Sequence, residues 1–202
     1  MLQREPFELV GDAADKSGRS IAGPQSPRPQ THDWITPKFI VDALGPFDLD
    51  PCQCSRQPWP CAARGIVLPD DGLVAPWSGR VWLNPPYSVH ASAWLAKLAQ
   101  YGRGTALIFA RTDTEMFFSH VWGHARAVLF LKGRLHFHYP DGRRAGANAG
   151  GPSCLIAYGD DDAERLARAG LPGALVGSVA VKTQQQSDET LFDFVGGGHA
   201  AA

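Results

Sequence analysis

Residues Arg80–Tyr87 read RVWLNPPY, an apolar run followed by an amide, two prolines and an aromatic ring. The apolar run predicts a buried strand, and the helix-like run from Ser88 to Tyr101 that comes next predicts a helix. A strand followed by a helix is the repeating unit of open α/β sheets. We therefore expect the tetrapeptide Asn84–Tyr87 at the carboxyl end of a strand, where such sheets bind their ligands.

The tetrapeptide presents two hydrogen-bond acceptors in a rigid frame. The side-chain oxygen of Asn84 is one acceptor and the carbonyl oxygen of Pro85 is the other. Pro85 and Pro86 have no N–H group to compete, and their rings fix φ at about −65°. Two such acceptors suit a planar amino group, and Tyr87 offers a face on which a base can stack. We predict that these four residues are catalytic; the alternative is a proline-rich strand exit with a buried tyrosine.

The segments before the tetrapeptide predict one helix and two strands. Thr36-Pro37 is typical of a helix start, with Thr36 as the cap and Pro37 at the first position, and Gly45-Pro46 ends the helix. Residues 47–50 (FDLD) read as a short strand that ends on a carboxylate, and residues 65–68 (GIVL) read as a second strand.

The segments after the tetrapeptide continue the alternation. Strands are predicted at residues 104–110, 127–131 and 153–158, and helices at 112–124, with Thr112 or Asp113 as the cap, and at 160–169. Residues 139–152 hold four glycines between two prolines and predict a long mobile loop. Strands that alternate with helices predict an α/β protein whose mostly parallel sheet is covered by helices on both faces.

Composition limits the size and the class of the protein. At 202 residues and 44% hydrophobic content, we expect a single domain over residues 34–182. Residues 1–33 are predicted to be a flexible leader and residues 183–202 a flexible tail, in which residues 191–195 form at most a short strand. No apolar run approaches the roughly 20 residues of a membrane span, and no signal peptide is apparent. We therefore expect a cytoplasmic protein.

The four cysteines do not follow a common zinc pattern. Cys52, Cys54 and Cys61 lie close together, whereas Cys154 is distant. Their spacing lacks the paired C-x2-C ends of common zinc sites. We predict reduced cysteines and no metal site, with a site completed by Cys154 or a histidine as the alternative.

Acidic residues at predicted strand ends are candidate cofactor contacts. Asp50, followed by Pro51, suits a charged amino group or a ribose, and Asp70 or Asp71 suits ribose hydroxyls. Thr36-Pro37 is expected to line the other side. Taken alone, an acidic residue at a strand end is more often a turn residue or a helix cap than a ligand.

The order of these motifs resembles one family. The motifs are Trp34–Pro37 (WITP), Phe47–Cys52 (FDLDPC), Asp71–Leu73 (DGL), Trp77–Gly79 (WSG), Val81–Tyr87 (VWLNPPY) and Gly133–Phe137 (GRLHF). In this order they resemble the phage-type DNA N6-adenine methyltransferases, the phage Dam group. The resemblance covers roughly residues 32–160.

The resemblance implies a class I, Rossmann-like methyltransferase fold and S-adenosylmethionine as the methyl donor, in a bacterial host cell that carries a phage or prophage. It assigns catalysis to Asn84–Tyr87 and the cofactor to a set of upstream residues. That set is Trp34, Thr36, Pro37, Asp50, Pro51, Cys52 and Asp71.

Two departures from the family pattern concern the cofactor motif. No glycine-rich turn follows Asp50, since Pro51 is followed by Cys52-Gln53-Cys54 and the next glycine is Gly65. Only 34 residues separate Asp50 from Asn84. We therefore expect an abbreviated version of the fold.

A basic segment is the candidate contact with nucleic acid. Residues 126–144 hold five arginines and lysines against one acid, Asp141, in a chain of net charge −1. We predict that Lys132, Arg134, Arg143 and Arg144 contact DNA phosphates, with an ordinary solvated hairpin as the alternative.

These observations lead to one expected function with two rivals. The expected function is S-adenosylmethionine-dependent methylation of adenine N6 in double-stranded DNA, with the target base flipped out of the helix. One rival is methylation of another planar amino group, namely cytosine N4, RNA adenine or protein glutamine. The other is a prophage relic that binds the cofactor or DNA without turnover.

Overall fold

The computed structural model describes residues 34–86 and 91–177. Seven strands form one sheet; they are β1 (Leu49–Asp50), β2 (Arg64–Gly65), β3 (Val81–Leu83), β4 (Gly104–Phe109), β5 (Ala127–Leu131), β6 (Ser153–Tyr158) and β7 (Gly173–Gly177). Their order across the sheet is β2-β1-β3-β4-β6-β5-β7.

Five of the seven strands run in the same direction. The pairs β1 with β2, β1 with β3, and β3 with β4 are parallel. Strand β6 is antiparallel to both β4 and β5, so β5 keeps the direction of the first four. Strand β7 is antiparallel to β5 at the edge. The predicted α/β fold with a mostly parallel sheet is confirmed.

Four helices cover both faces of the sheet. They are α1 (Lys38–Leu44), α2 (Ala91–Tyr101), α3 (Glu115–His120) and α4 (Asp160–Arg168). Ile40 of α1 and Leu166 of α4 pack in one core cluster with Leu107 of β4. Leu95 of α2 packs in a second cluster with Ile108, the next residue along β4. Because successive side chains of a strand point to opposite faces, the two clusters lie on opposite sides of the sheet.

Central strands that are covered on both faces read as continuous apolar runs. Strand β6 is buried at every residue, and β4 is buried from Gly104 to Ile108. This explains why residues 104–110 and 153–158 predicted strands that agree closely with the observed ones. Strand β7 is exposed at every residue and was not predicted.

Three local predictions were wrong. The cap of α1 is Pro37, not Thr36, and no side chain caps this helix. Helix α3 is much shorter than the predicted helix over 112–124, and its cap is Thr114, whose hydroxyl accepts from the N–H of Phe117 at 3.4 Å. The strand predicted at 65–68 is instead the short strand Arg64–Gly65, and the start of the helix predicted from Ser88 lies outside the described residues.

The long loop predicted at 139–152 is present, and backbone hydrogen bonds join it to the residues that precede it. The N–H of Ala145 donates to the carbonyl of Phe137 at 2.8 Å, and that of Ala149 donates to the carbonyl of Leu135 at 2.6 Å. All four of these residues are buried. The small side chains of Ala145 and Ala149 pack into the core, while Arg143 and Arg144 face solvent.

A buried ion pair joins β3 to α4 at the amino end of β3. The Arg80 Nε donates to the Asp162 carboxylate at 2.6 Å, and both side chains are almost fully buried. Arg80 also donates to the carbonyls of Leu44 and Pro46, and the Thr105 hydroxyl donates to Asp162. These contacts offset part of the desolvation cost of the two charges, while Arg80 Nη2 and Asp162 Oδ2 are buried without a hydrogen-bond partner among the described residues.

The predicted leader at 1–33 and tail at 183–202 lie outside the described residues, and the predicted domain end at 182 lies beyond the last one, residue 177. Within the described part, every helix is too short or too polar to cross a membrane.

Candidate active site at the carboxyl ends of β1 and β3

The strand order reverses beside β1. From β1 the chain moves to β2 on one side and then returns to β3 on the other side. In open α/β sheets, a crevice forms outside the carboxyl ends of the strands at such a point. Asp50 ends β1 and Asn84 follows β3 directly, so the two residues stand on either side of the reversal.

A cavity of about 220 Å³ occupies this position. Nine of the residues predicted from the sequence line it, namely Trp34, Thr36, Asp50, Pro51, Cys52, Asp71, Asn84, Pro85 and Pro86. Pro37 is not among the lining residues, since it is buried at the start of α1. Tyr87 lies outside the described residues. The structure thus brings together residues from four segments that are separate in the sequence.

The Asn84 side chain is held in one orientation. Its Nδ2 donates to the carbonyl of Trp34 at 2.9 Å. Because only the amide nitrogen can donate to a carbonyl, this contact identifies the other terminal atom as the oxygen. That oxygen, Oδ1, is buried and has no hydrogen-bond partner among the described residues. A buried acceptor without a partner is costly and rare.

Asp50 is a buried carboxylate that lines the same cavity. Only 4% of the residue is exposed. Burial raises its pKa from the usual value of 3.8 to about 7, although hydrogen bonds from Cys52 and Gln57 oppose the shift. No Lys, Arg or His in the described residues forms an ion pair with it. A cation that bound in the cavity would favour the ionised form of the Asp50 carboxyl.

Cys52 connects the two sides of the site. Its N–H donates to Asp50 Oδ1 at 3.2 Å, and its thiol donates to the carbonyl of Asn84 at 3.3 Å. Burial, and secondarily the Asp50 charge, raise the pKa of the Cys52 thiol well above its usual value. The thiol therefore stays protonated and acts as a donor rather than as a nucleophile.

A loop over residues 70–75 closes one wall of the cavity. Asp71 caps a turn by accepting from the N–H of Leu73 at 2.8 Å. A Cβ atom on Gly72 would lie 1.9 Å from the carbonyl oxygen of Pro51, so only glycine allows this approach to the end of β1. The Lys97 ammonium on α2 donates to three carbonyls of the loop, at 2.7 to 3.1 Å.

The segment 34–37 forms the opposite wall. The N–H of Ile35 donates to His138 and the N–H of His138 donates back, at 2.9 and 3.0 Å. The Trp59 indole N–H donates to the carbonyl of Thr36 at 3.1 Å. The Thr36 hydroxyl is buried without a hydrogen-bond partner among the described residues. This wall is therefore fixed by residues far away in the sequence.

The predicted phosphate contacts are all exposed, at Lys132, Arg134, Arg143 and Arg144. Lys132 and Arg134 follow β5, whereas Arg143 and Arg144 lie in the segment 139–152 described above. The Arg143 Nε donates to the Asp141 carboxylate at 2.7 Å, so part of its charge is already neutralised. Lys132, Arg134 and Arg144 remain the better candidates for phosphates.

Several residues of the site were not predicted. Gln53 and Gln57 line the cavity, and Lys97 holds its wall. The signals for the two glutamines were weak, since polar residues in an irregular segment predict only solvent exposure. Lys97 lies on the helix-like run that starts at Ser88, where a lone lysine is typical of a solvated face. The described residues contain no cluster of His, Cys, Asp or Glu that suits a metal ion.

Comparison with known proteins adds no assignment. No protein-family model matches this sequence, and neither a curated protein nor a solved structure resembles it significantly. Function is therefore argued from the geometry of the site.

Proposed function

We propose that the protein methylates the N6 amino group of adenine in DNA, with S-adenosylmethionine as the methyl donor, as its resemblance to the phage-type adenine methyltransferases implies. One observation carries the proposal: Asn84 lines the cavity, its amide is anchored by the Trp34 carbonyl, and its buried side-chain oxygen has no hydrogen-bond partner among the described residues. A donor group of a ligand is the natural partner for a fixed, unsatisfied acceptor.

The residues of the cavity suit a cationic, nucleoside-like cofactor. Asp50 provides a buried carboxylate without an ion-pair partner among the described residues, which suits an ammonium or sulfonium group. Asp71 is an exposed carboxylate on the wall formed by the loop over residues 70–75, where it suits ribose hydroxyls. The turn from Pro51 to Cys54 stands where the family that the sequence resembles has a glycine-rich turn. Within this turn, the N–H of Gln53 donates to the carbonyl of Ile66 at 3.0 Å.

When bound, S-adenosylmethionine supplies an electrophilic methyl group. Asn84 Oδ1 and the carbonyl of Pro85 accept from the two hydrogens of the adenine amino group and orient its lone pair. The Trp34 carbonyl keeps the Asn84 amide from rotating, so the acceptor is in place before the base arrives. Alignment of this kind supplies a large part of the rate in reactions without a strong base. The displaced proton leaves to water.

The target base has to leave the duplex to reach this position, because N6 is otherwise inside the base stack. Tyr87 is the proposed stacking partner that follows the acceptors in the sequence. Lys132, Arg134 and Arg144 are proposed to hold the phosphates around the cavity.

A methyl-transfer assay tests the proposal. The purified protein is incubated with tritiated S-adenosylmethionine and DNA of mixed sequence, and the DNA is digested to identify the modified nucleoside. The expected product is N6-methyladenine. N4-methylcytosine, or transfer only to RNA or to protein glutamine, would instead support the first rival; binding of the cofactor without transfer would support the relic.

The variant Asn84→Ala provides the matched test of the acceptor. We expect it to abolish methyl transfer while calorimetric affinity for S-adenosylmethionine changes little, because Asn84 contacts the amino group and not the cofactor. Normal turnover by this variant would refute the role assigned to Asn84.

A further inference from the structure

Three planar side chains, Trp34, Tyr139 and Arg143, adjoin one another beside the cavity, and the proposed mechanism does not use their planar faces; we call this group the stack, although the two aromatic rings are tilted rather than parallel. The ring centroids of Trp34 and Tyr139 are 5.6 Å apart, with 37° between the ring planes. The Arg143 guanidinium lies over the Tyr139 ring, 5.7 Å from its centroid. Trp34 lines the cavity and its carbonyl holds Asn84. The stack therefore runs from Trp34, whose backbone carbonyl anchors Asn84, to the exposed side chain of Arg143.

The backbone holds the stack in place. The N–H of Tyr139 donates to the carbonyl of Arg143 at 2.8 Å, and the N–H of Gly142 donates to the carbonyl of Tyr139 at 2.9 Å. The neighbouring residue, His138, is hydrogen-bonded to Ile35, next to Trp34. Because these groups are already ordered, a ligand that binds to them loses little additional conformational entropy.

The ion pair of Arg143 with Asp141 limits what Arg143 can bind. The carboxylate occupies the Nε edge and offsets the charge, while 79% of the arginine side chain stays exposed. An arginine with a nearby carboxylate is a poor phosphate contact. Its flat guanidinium, supported by an aromatic ring, is well suited to stack against a nucleobase.

We propose that the stack of Trp34, Tyr139 and Arg143 binds an unpaired nucleobase that neighbours the target base on the same strand. The inference rests on the proposed function, because it assumes a nucleic-acid strand at the cavity. A stacked neighbour fixes the strand beside Asn84 without a strongly basic surface, which agrees with the net charge of −1. Stacking accepts any base, because every base has a π face.

Binding of two single strands of equal charge tests this inference. One strand is a fluorescently labelled oligothymidylate of about twelve nucleotides, within the range that single-strand sites cover. The other has the same length and phosphate count but carries abasic residues throughout. Affinities are measured by fluorescence anisotropy at one salt concentration, because phosphate contacts depend strongly on salt.

We expect the wild-type protein to bind the base-bearing strand roughly tenfold or more tightly than the abasic strand. Tyr139→Ala is expected to weaken binding of the base-bearing strand roughly tenfold and to leave binding of the abasic strand unchanged. Tyr139→Phe keeps the ring and is expected to behave as the wild type. Lys132→Ala, which removes a proposed phosphate contact, is expected to lower the affinity for both strands by the same factor.

Arg143→Lys serves as a second variant that keeps the charge but loses the plane. It lies on the surface, so its folding is not at risk if Tyr139→Ala proves unstable. We expect it to lose affinity only for the base-bearing strand. The inference would be overturned if Tyr139→Ala and Arg143→Lys lowered the affinity for both strands equally, or if they lowered the affinity for neither strand.

The outcome separates this inference from the proposed function. If the wild-type protein transfers no methyl group but Tyr139→Ala loses only its affinity for bases, the methyltransferase proposal fails and the stack remains a base-binding site. If methyl transfer to adenine proceeds and the variants bind both strands as the wild type does, the stack has no such role.

Discussion

Replacement of Asp50 by asparagine is predicted to change how stability depends on pH. In the folded protein the pKa of Asp50 is raised from 3.8 to about 7 because the carboxyl is buried. Between these two values the folded state holds a proton that the unfolded state has released. Stability therefore falls as pH rises through this window, and the full cost is present above pH 7.

The size of the effect follows from the shift. One pKa unit corresponds to about 1.4 kcal/mol, so a shift from 3.8 to about 7 corresponds to about 4 kcal/mol above pH 7. Asp50→Asn lacks the ionisation and avoids this cost. Relative to the wild type, we expect the free energy of unfolding of the variant to rise by about 1.4 kcal/mol per pH unit between pH 5 and pH 7. Above pH 8 we expect this difference to stay constant.

Urea unfolding, followed by circular dichroism at pH 5, 6, 7 and 8, measures this difference. Any loss of hydrogen bonding by the asparagine is independent of pH and changes the free energy of unfolding equally at all four pH values. The slope of the difference against pH therefore reports the ionisation of Asp50 alone. A difference in the free energy of unfolding that does not vary with pH would refute the argument that Asp50 is desolvated without a compensating charge.

The same ionisation predicts the pH dependence of cofactor binding. A cationic cofactor favours the charged carboxylate, so we expect wild-type affinity for S-adenosylmethionine to rise roughly tenfold from pH 6 to pH 8. We expect Asp50→Asn to bind more weakly at pH 8 and to lose this dependence. Titration calorimetry at the two pH values checks both; unchanged affinity in the variant would mean that the cofactor does not contact Asp50.

Three further predictions concern neighbouring contacts. Asn84→Asp keeps an acceptor but directs a second oxygen at the Trp34 carbonyl, so we expect methyl transfer to DNA to fall roughly 100-fold through misalignment; wild-type turnover would contradict this. Lys97→Met removes the donor that three loop carbonyls share, so calorimetric affinity for S-adenosylmethionine is expected to fall roughly tenfold with little change in kcat. Asp162→Ala leaves the Arg80 charge buried and is expected to lower the free energy of unfolding by about 3–5 kcal/mol in urea; a loss below about 1 kcal/mol would show that water compensates the charge.

Much of the fold could be predicted from local patterns. Strands β4 and β6 lie at the centre of the sheet, where both faces are buried, so their sequences are continuously apolar. Strand β7 was missed because its apolar run, Ala174–Val176, is short, exposed and bounded by two glycines, which predict turns. The close packing of segment 139–152 was not predicted, because glycine and alanine predict a loop even where they pack closely.

The candidate site could be predicted as a set of residues but not as an arrangement. Asp50 and Asn84 each follow an apolar run, and the ends of neighbouring parallel strands meet at one edge of a sheet. The sequence contains no local signal for Lys97, which reaches a loop 22 to 25 residues away. The same applies to Tyr139, whose partner Trp34 belongs to a distant segment.

The sequence by itself determined the alternation of strands and helices and the rigid acceptor tetrapeptide at a strand end, because both depend on burial patterns and on the backbone restrictions of proline. Only the tertiary structure decided that the Asn84 amide is anchored by the carbonyl of Trp34, 50 residues earlier, and that Asp50 is desolvated. Hydrogen bonds between distant segments and the loss of solvation exist only once the chain has packed, so no local pattern encodes them.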